Sequence, residues 1–151
     1  YCLGQLIQND KYQINVRTHP ILPWEKIDTR FRDKIDYFNN VNLSMNTNLY
    51  DDLLDSDICI YWGSTVALEA LSISMPIVHF DMQTVLNYDP LFLCNDLKWT
   101  ITKEDSLLKT IDSIYSLSPE EFNRMSNNAE KFMNDYFHPI TKRNMNKFIY
   151  Y

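Results

Sequence analysis

The chain is poor in glycine and has few cysteines. Only two of its 151 residues are glycine, against an average usage of roughly 7%, so a glycine at a structural junction is informative. The cysteines Cys2, Cys59 and Cys94 are odd in number and widely spaced. They form neither a CxxC pair nor a zinc quartet, and we interpret them as reduced thiols.

Positive charge and long apolar runs are also lacking. Lys and Arg number 14 against 20 Asp and Glu, which gives a formal net charge of -6. An acidic domain without a basic cluster is a poor partner for a phosphate polymer, so we expect no nucleic-acid partner. No run approaches the ~20 apolar residues that a membrane helix needs, so we expect no membrane span.

What is present is the composition of a folded globular domain, with 45% apolar and 23% charged residues. A length of 151 residues fits one domain with a sizeable core. The chain does not begin with Met, and it starts within a predicted helix at Cys2–Gln8. We therefore expect residues 1–151 to form a single domain that belongs to a longer, two-domain protein.

Short β-branched runs alternate with segments of helical periodicity, a pattern typical of βαβ units and a parallel sheet. The predicted strands are Tyr12–Arg17, Val41–Met45, Asp57–Trp62, Pro76–Phe80 and Lys98–Ile101. Further helices are predicted at Arg30–Phe38, after an Asn48 cap, at Ser64–Ile73, from a Thr102 cap to about Leu117, from a Ser118 cap, and from about Thr141 to Tyr150. The predicted fold is an α/β, Rossmann-like, doubly wound parallel sheet in which Asp57–Trp62 is a central strand.

The junction after the third predicted strand is the main candidate binding site. Gly63 follows the strand, and Ser64 and Thr65 begin the next helix. The free N–H groups of a first helical turn attract an anion, glycine permits close approach, and two hydroxyls add donors. Glu69 lies one turn further on the same face, at a distance suited to a ribose diol. The alternative is that Ser64 only caps the helix and that Glu69 is a solvated charge.

A second candidate is the His-Pro loop after the first strand. Because parallel strands bring their carboxyl ends together, His19 and Pro20 should face the same crevice as Ser64. The imidazole can donate to a phosphate and stabilise a leaving group, and Arg17 can add a second charge. The alternative is that His19 merely closes a proline-rich turn.

Other polar residues favour structural interpretations. His79 lies in an apolar strand and His138-Pro139 precedes the last predicted helix, so both are interpreted as structural. The acids Asp51, Asp52, Asp55 and Asp57 resemble a metal cluster, but acids are favourable in a helix's first turn, and we predict no metal site. We find no Ser-His-Asp signature and no P-loop.

The segment LYDDLLDSDICIYWGSTVALEALSISMPIVHFD is similar to the C-terminal, nucleotide-binding half of GT-B glycosyltransferases. Within that group, His19-Pro20 paired with Ser64-Thr65 resembles the CMP- and CDP-dependent members, namely bacterial sialyltransferases, Kdo transferases and polyglycerol-phosphate polymerases. The resemblance implies that His19, Ser64 and Thr65 hold the nucleotide phosphate and that Glu69 binds the ribose.

The chain differs from related proteins in two sequence features, and these differences narrow the expected mechanism and activity. Retaining members usually carry a second glutamate eight positions before Glu69, where this chain has Tyr61, which favours an inverting, metal-independent mechanism. Related UDP-sugar 2-epimerases carry an acidic, Arg-containing segment after the fourth strand, which the stretch MQTVLNYDP from Met82 to Pro90 lacks.

The expected function is donor-nucleotide binding in a bacterial glycosyltransferase of surface-polysaccharide biosynthesis, located in the cytoplasm or at the inner face of the membrane. The expected ligand is a CMP- or CDP-linked sugar, with no further cofactor. The acceptor glycan and the catalytic base would belong to a separate N-terminal domain, so the isolated chain should be inactive. His19 is the candidate leaving-group stabiliser. The alternatives are a sugar-nucleotide epimerase of the same fold and a non-catalytic scaffold or partner-binding module.

Overall fold

The structure is a computed structural model that describes residues 2–19, 21–86, 88–137 and 141. Pro20, His138 and Pro139 lie outside the described residues, as do residues 142–150 of the predicted last helix.

Within the residues that the structure describes, five short strands form two parallel sheets. Strands β1 (Ile14–Val16) and β2 (Val41–Leu43) pair with each other, and a second sheet has the order β3-β4-β5, with β3 at Cys59–Tyr61, β4 at Ile77–Phe80 and β5 at Lys98–Ile101. All ladders are parallel, as the alternating pattern predicts. However, the prediction that β3 is central is wrong. Strand β4 pairs on both sides, and Ile77 and Val78 are completely buried.

Six α-helices accompany the strands in the described part of the chain. They are α1 (Cys2–Ile7), α2 (Thr29–Asp36), α3 (Leu49–Leu54), α4 (Val66–Ser72), α5 (Leu107–Tyr115) and α6 (Pro119–Tyr136). A single 3-10 turn at Trp24–Lys26 lies in the loop after β1. None of the helices described is long and apolar enough to cross a bilayer.

The start of α5 differs from the prediction because two local signals compete. Thr102 does not cap the helix, since both its backbone amide and its hydroxyl donate to the Asp105 carboxylate, at 2.7 and 2.8 Å. The true cap is Ser106, whose hydroxyl accepts from the Lys109 amide at 3.3 Å. The Thr102 signal belongs to a separate turn before the helix.

Helices cover both faces of the three-stranded sheet. Ile77 of β4 packs in one apolar cluster with residues of α4 and α6, including Ala70 and Met133. Val78, the next residue, packs in a second cluster with residues of α1 and α5, including Ile111. Because successive strand residues point to opposite faces, the two clusters lie on opposite sides of β4. The protein is therefore mixed α/β with parallel sheets, an arrangement compatible with a Rossmann-like fold.

Buried charges attach the connection between β4 and β5 to the sheet. Asp89 is 5% exposed and accepts from Tyr61 Oη at 2.7 Å and from the ammonium of Lys98, which also donates to the Leu91 carbonyl at 2.6 Å. The buried His79 ring lies beside this carboxylate, with Nδ1 3.8 Å from its oxygen. Paired charges of this kind hold a connecting segment in one position, because separating them would leave a charge buried alone.

Candidate functional site

The two sequence motifs meet around one cavity. Strand β1 ends at Val16 and β3 ends at Tyr61, and in each case the motif residue, His19 or Ser64, follows three positions later. The cavity has a volume of about 340 Å³. Its polar lining comprises Asn15, Arg17, Thr18, His19, Asp52, Ser56, Ser64, Thr65 and Glu69. The structure thus brings together every described residue of the predicted site except Gly63.

The His19 ring is held by its own loop. Its Nδ1 accepts a hydrogen bond from the Ile21 backbone amide at 3.2 Å, so the neutral ring carries its proton on Nε2. The side chain is exposed. This leaves Nε2–H available as a donor on a residue that lines the cavity.

The helix predicted from Ser64 begins two residues later. Helix α4 starts at Val66, so Ser64 and Thr65 lie in the turn before it. The Ser64 hydroxyl accepts from the Val66 amide at 3.3 Å, so part of the capping interpretation holds. The Thr65 hydroxyl makes no cap bond. Within the described ranges, the backbone amides of Ser64 and Thr65 have no paired acceptor. The turn therefore offers two amides and the Thr65 hydroxyl as donors to a ligand.

Gly63 does not line the cavity. Its φ of +57° lies in the left-handed region, and a Cβ at this position would stand 2.8 Å from the Cβ of Tyr88. The glycine is therefore required by the turn and by the packing of Tyr88, whereas the sequence suggested that it allows a ligand to approach.

Glu69 lies one helical turn beyond Thr65, exposed at the edge of the cavity. No residue in the described part of the chain forms an ion pair with its carboxylate. It is free to accept hydrogen bonds from a diol, as the sequence suggested.

Arg17 is not free, because its guanidinium is paired with Asp52 on α3. The Nη1 atom of Arg17 donates to the Asp52 carboxylate and also to the Asn46 carbonyl, the latter at 2.9 Å. Asp52 in turn accepts from Ser44 Oγ at 2.6 and 2.7 Å and from Asn46 Nδ2 at 2.7 Å. Burial raises the pKa of Asp52, but the hydrogen bonds from Ser44, Arg17 and Asn46 outweigh it and hold that pKa below its usual value.

Asp52 is a charged cavity residue that the sequence did not reveal, because an acid in the first turn of a helix needs no further explanation. Its spacing from Leu49, Leu53 and Ser56 places it on the same helix face as these residues. Leu53 is buried, and all four residues line the cavity. The available signal was an acid on the same helix face as the apolar residues Leu49 and Leu53, because a carboxylate buried with such residues requires partners.

The apolar side chains that line the cavity are together called its floor. It is formed by Leu49, Leu53, Ile58, Ile60 and Val66, together with Cys59. Burial raises the pKa of the Cys59 thiol to about 11, so the thiol is neutral at pH 7. An apolar floor with a few convergent polar groups is the usual construction of a small-molecule site.

Two polar residues near the end of the sheet do not line this cavity. The Tyr61 hydroxyl donates to Asp89, and burial followed by that bond raises its pKa. Burial lowers the pKa of His79, and its contact with Asp89 fits the structural interpretation. Among the residues that the structure describes, no three His, Cys, Asp or Glu side chains are grouped as metal ligands would be.

Comparison with known proteins adds no assignment. No family model, curated protein or solved structure gives a significant match to the chain.

Proposed function

We propose that the chain is the donor-nucleotide-binding domain of a GT-B type glycosyltransferase that acts in surface-polysaccharide biosynthesis. One observation carries the proposal: the His19 loop and the Ser64-Thr65 turn, 45 residues apart in sequence, line the same cavity beyond the carboxyl ends of parallel strands. Ligands of open α/β sheets bind at this end of the strands.

In this proposal each part of the ligand has a matching part of the cavity. The phosphate accepts hydrogen bonds from the Ser64 and Thr65 amides, the Thr65 hydroxyl and His19 Nε2. The ribose diol donates to Glu69, and the base lies on the apolar floor beside Leu49. These donors face the phosphate on which negative charge increases as the nucleotide leaves, and donors placed in advance stabilise that charge.

The reaction proposed is an inverting, metal-independent transfer. The bond between the sugar carbon and the phosphate oxygen breaks while a bond to an acceptor oxygen forms, and a base on a separate domain takes the acceptor's proton. His19 stabilises the departing phosphate by donating from Nε2.

The alternative function is a non-catalytic scaffold, and two observations support it. Arg17 is already paired with Asp52, and Tyr88 packs against Gly63 at the turn. A scaffold of this fold would bind no nucleotide.

Titration of the 151-residue chain with CMP, CDP, UDP and GDP, followed by backbone amide shifts, tests the proposal. We expect shifts centred on Gly63, Ser64, Thr65 and His19 with CMP or CDP. The double variant Ser64→Ala/Thr65→Ala should lower affinity by about tenfold or more, because it removes the Thr65 hydroxyl as a donor to a charged phosphate and the Ser64 hydroxyl that holds the Val66 amide in the turn.

Ser72→Ala is the matched control, since Ser72 lies at the opposite end of the same helix and bonds the Glu69 carbonyl. It should leave affinity unchanged. Absence of shifts with all four nucleotides would support the scaffold, and shifts confined to another surface would reject this cavity as the site.

A further inference from the structure

The cavity offers little free positive charge to a ligand. Among the described residues that line it, Arg17 is the one permanently cationic side chain, whereas Asp52 and Glu69 are carboxylates. The Arg17 charge is offset by Asp52 at close contact. A phosphate entering the cavity therefore meets a neutralised ion pair and the unpaired Glu69.

The ion pair is not easily opened by a ligand. The Asp52 side chain is 12% exposed and is also bonded by Ser44 and Asn46, while Arg17 bonds the Asn46 carbonyl. Moving Arg17 onto a phosphate would break these bonds and leave a largely buried carboxylate without its counter-ion, which is strongly unfavourable.

We propose that Asp52 is a specificity-determining residue: by holding and neutralising Arg17, it makes the cavity select a nucleotide with one phosphate over a nucleoside diphosphate. The inference rests on the proposed function. The Ser64 and Thr65 amides, the Thr65 hydroxyl and His19 Nε2 are enough for one phosphate group. A second phosphate brings another negative charge toward Glu69, and the described residues that line the cavity offer no unpaired permanent cation to receive it.

The test measures dissociation constants of cytidine, CMP and CDP for the 151-residue chain and its Asp52→Asn variant. If UDP or GDP binds best in the titration with four nucleotides, the nucleoside, monophosphate and diphosphate of uridine or guanosine replace cytidine, CMP and CDP. The asparagine oxygen can still accept from Ser44 and Arg17. Because asparagine is uncharged, however, the positive charge of Arg17 is no longer neutralised. We expect the affinity for CDP relative to CMP to rise by about fivefold, as one unit charge at cavity distances implies, and to fall again with added salt. Cytidine affinity should not change.

Two further variants separate charge from structure. Asp51→Asn alters the net charge equally on a neighbouring exposed residue that does not line the cavity, so the CDP/CMP ratio should remain that of the parent chain. The double variant Arg17→Gln/Asp52→Asn removes one charge of each sign. It should return the ratio to the parent value.

An equal change for all three ligands in Asp52→Asn would show a merely structural role and overturn the inference. An unchanged CDP/CMP ratio would overturn it as well, while leaving the proposed function intact. If the parent chain binds none of the nucleotides, the proposed function itself fails.

Discussion

Gly63 shows how one residue sets the geometry at the end of β3. Its φ of +57° is costly for any residue with a side chain, and Tyr88 occupies the space where that side chain would stand. Trp62 packs edge-on against the same tyrosine, with ring centroids 6.1 Å apart. The turn that presents Ser64 thus depends on contacts outside the cavity.

We predict that Gly63→Ala destabilises the protein by about 2–4 kcal/mol, the combined cost of a left-handed alanine and an overpacked contact. Urea unfolding at constant pH measures it. The control is Gly4→Ala, since a Cβ at that helical position meets nothing within 4 Å. It should be neutral or stabilise by up to about 1 kcal/mol. Equal effects at both glycines would refute this account of the turn.

At the same scale, the sequence predicted which motif residues are neighbours but missed their partners. His19 and Ser64 line one cavity, and each follows the carboxyl end of a parallel strand, a placement that depends on strand direction and not on strand order. The Arg17–Asp52 pair joins residues 35 positions apart, and the contact of Tyr88 with Gly63 joins residues on separate loops. Neither pair has a local signal, so tertiary packing alone determines it.

Helix starts were predictable where the cap is complete within the local sequence. The Ser118 hydroxyl accepts from the Glu121 amide, the Glu121 carboxylate accepts from the Ser118 amide, and Pro119 occupies the first turn. At Thr102 the same kind of signal failed, because Asp105 closes a turn first. Strand order also escaped prediction, because the apolar run of β3 does not reveal that β4 has neighbours on both sides.

Ser118→Ala should destabilise the protein by about 1 kcal/mol, since it removes the hydroxyl that bonds the first turn of α6. Thermal unfolding provides the measurement. Ser113→Ala is the matched control: this exposed hydroxyl lies inside α5 and only returns a bond to the Thr110 carbonyl. Its replacement should be neutral or slightly stabilising. A loss at Ser113 as large as at Ser118 would contradict the capping role.

For the molecule as a whole, the buried charges at the β4–β5 connection contribute to the pH dependence of stability. Burial raises the pKa of Asp89, but bonds from Lys98, Tyr61 and the Leu91 amide outweigh it and hold that pKa below the usual value. Unfolding in acid therefore takes up a proton, and the stabilisation is complete above the unfolded pKa of about 4 and is lost as pH falls through the folded value. His79, whose pKa burial lowers, acts in the same direction, since its contribution is present above about pH 6.5 and declines below it.

Asp89→Asn should therefore cost about 3 kcal/mol at pH 7, because it leaves the Lys98 ammonium buried without its counter-ion. The difference from the parent chain should shrink as urea unfolding is repeated below about pH 4, where the Asp89 carboxylate of the unfolded parent chain takes up a proton and the parent loses stability. Asp112→Asn is the control, since that carboxylate pairs with Lys11 in solvent, with side-chain exposures of 59% and 63%, and exposed pairs contribute little. A loss at Asp89 that stays constant from pH 7 to pH 3 would mean that packing, and not the buried charge pair, attaches this connection to the sheet.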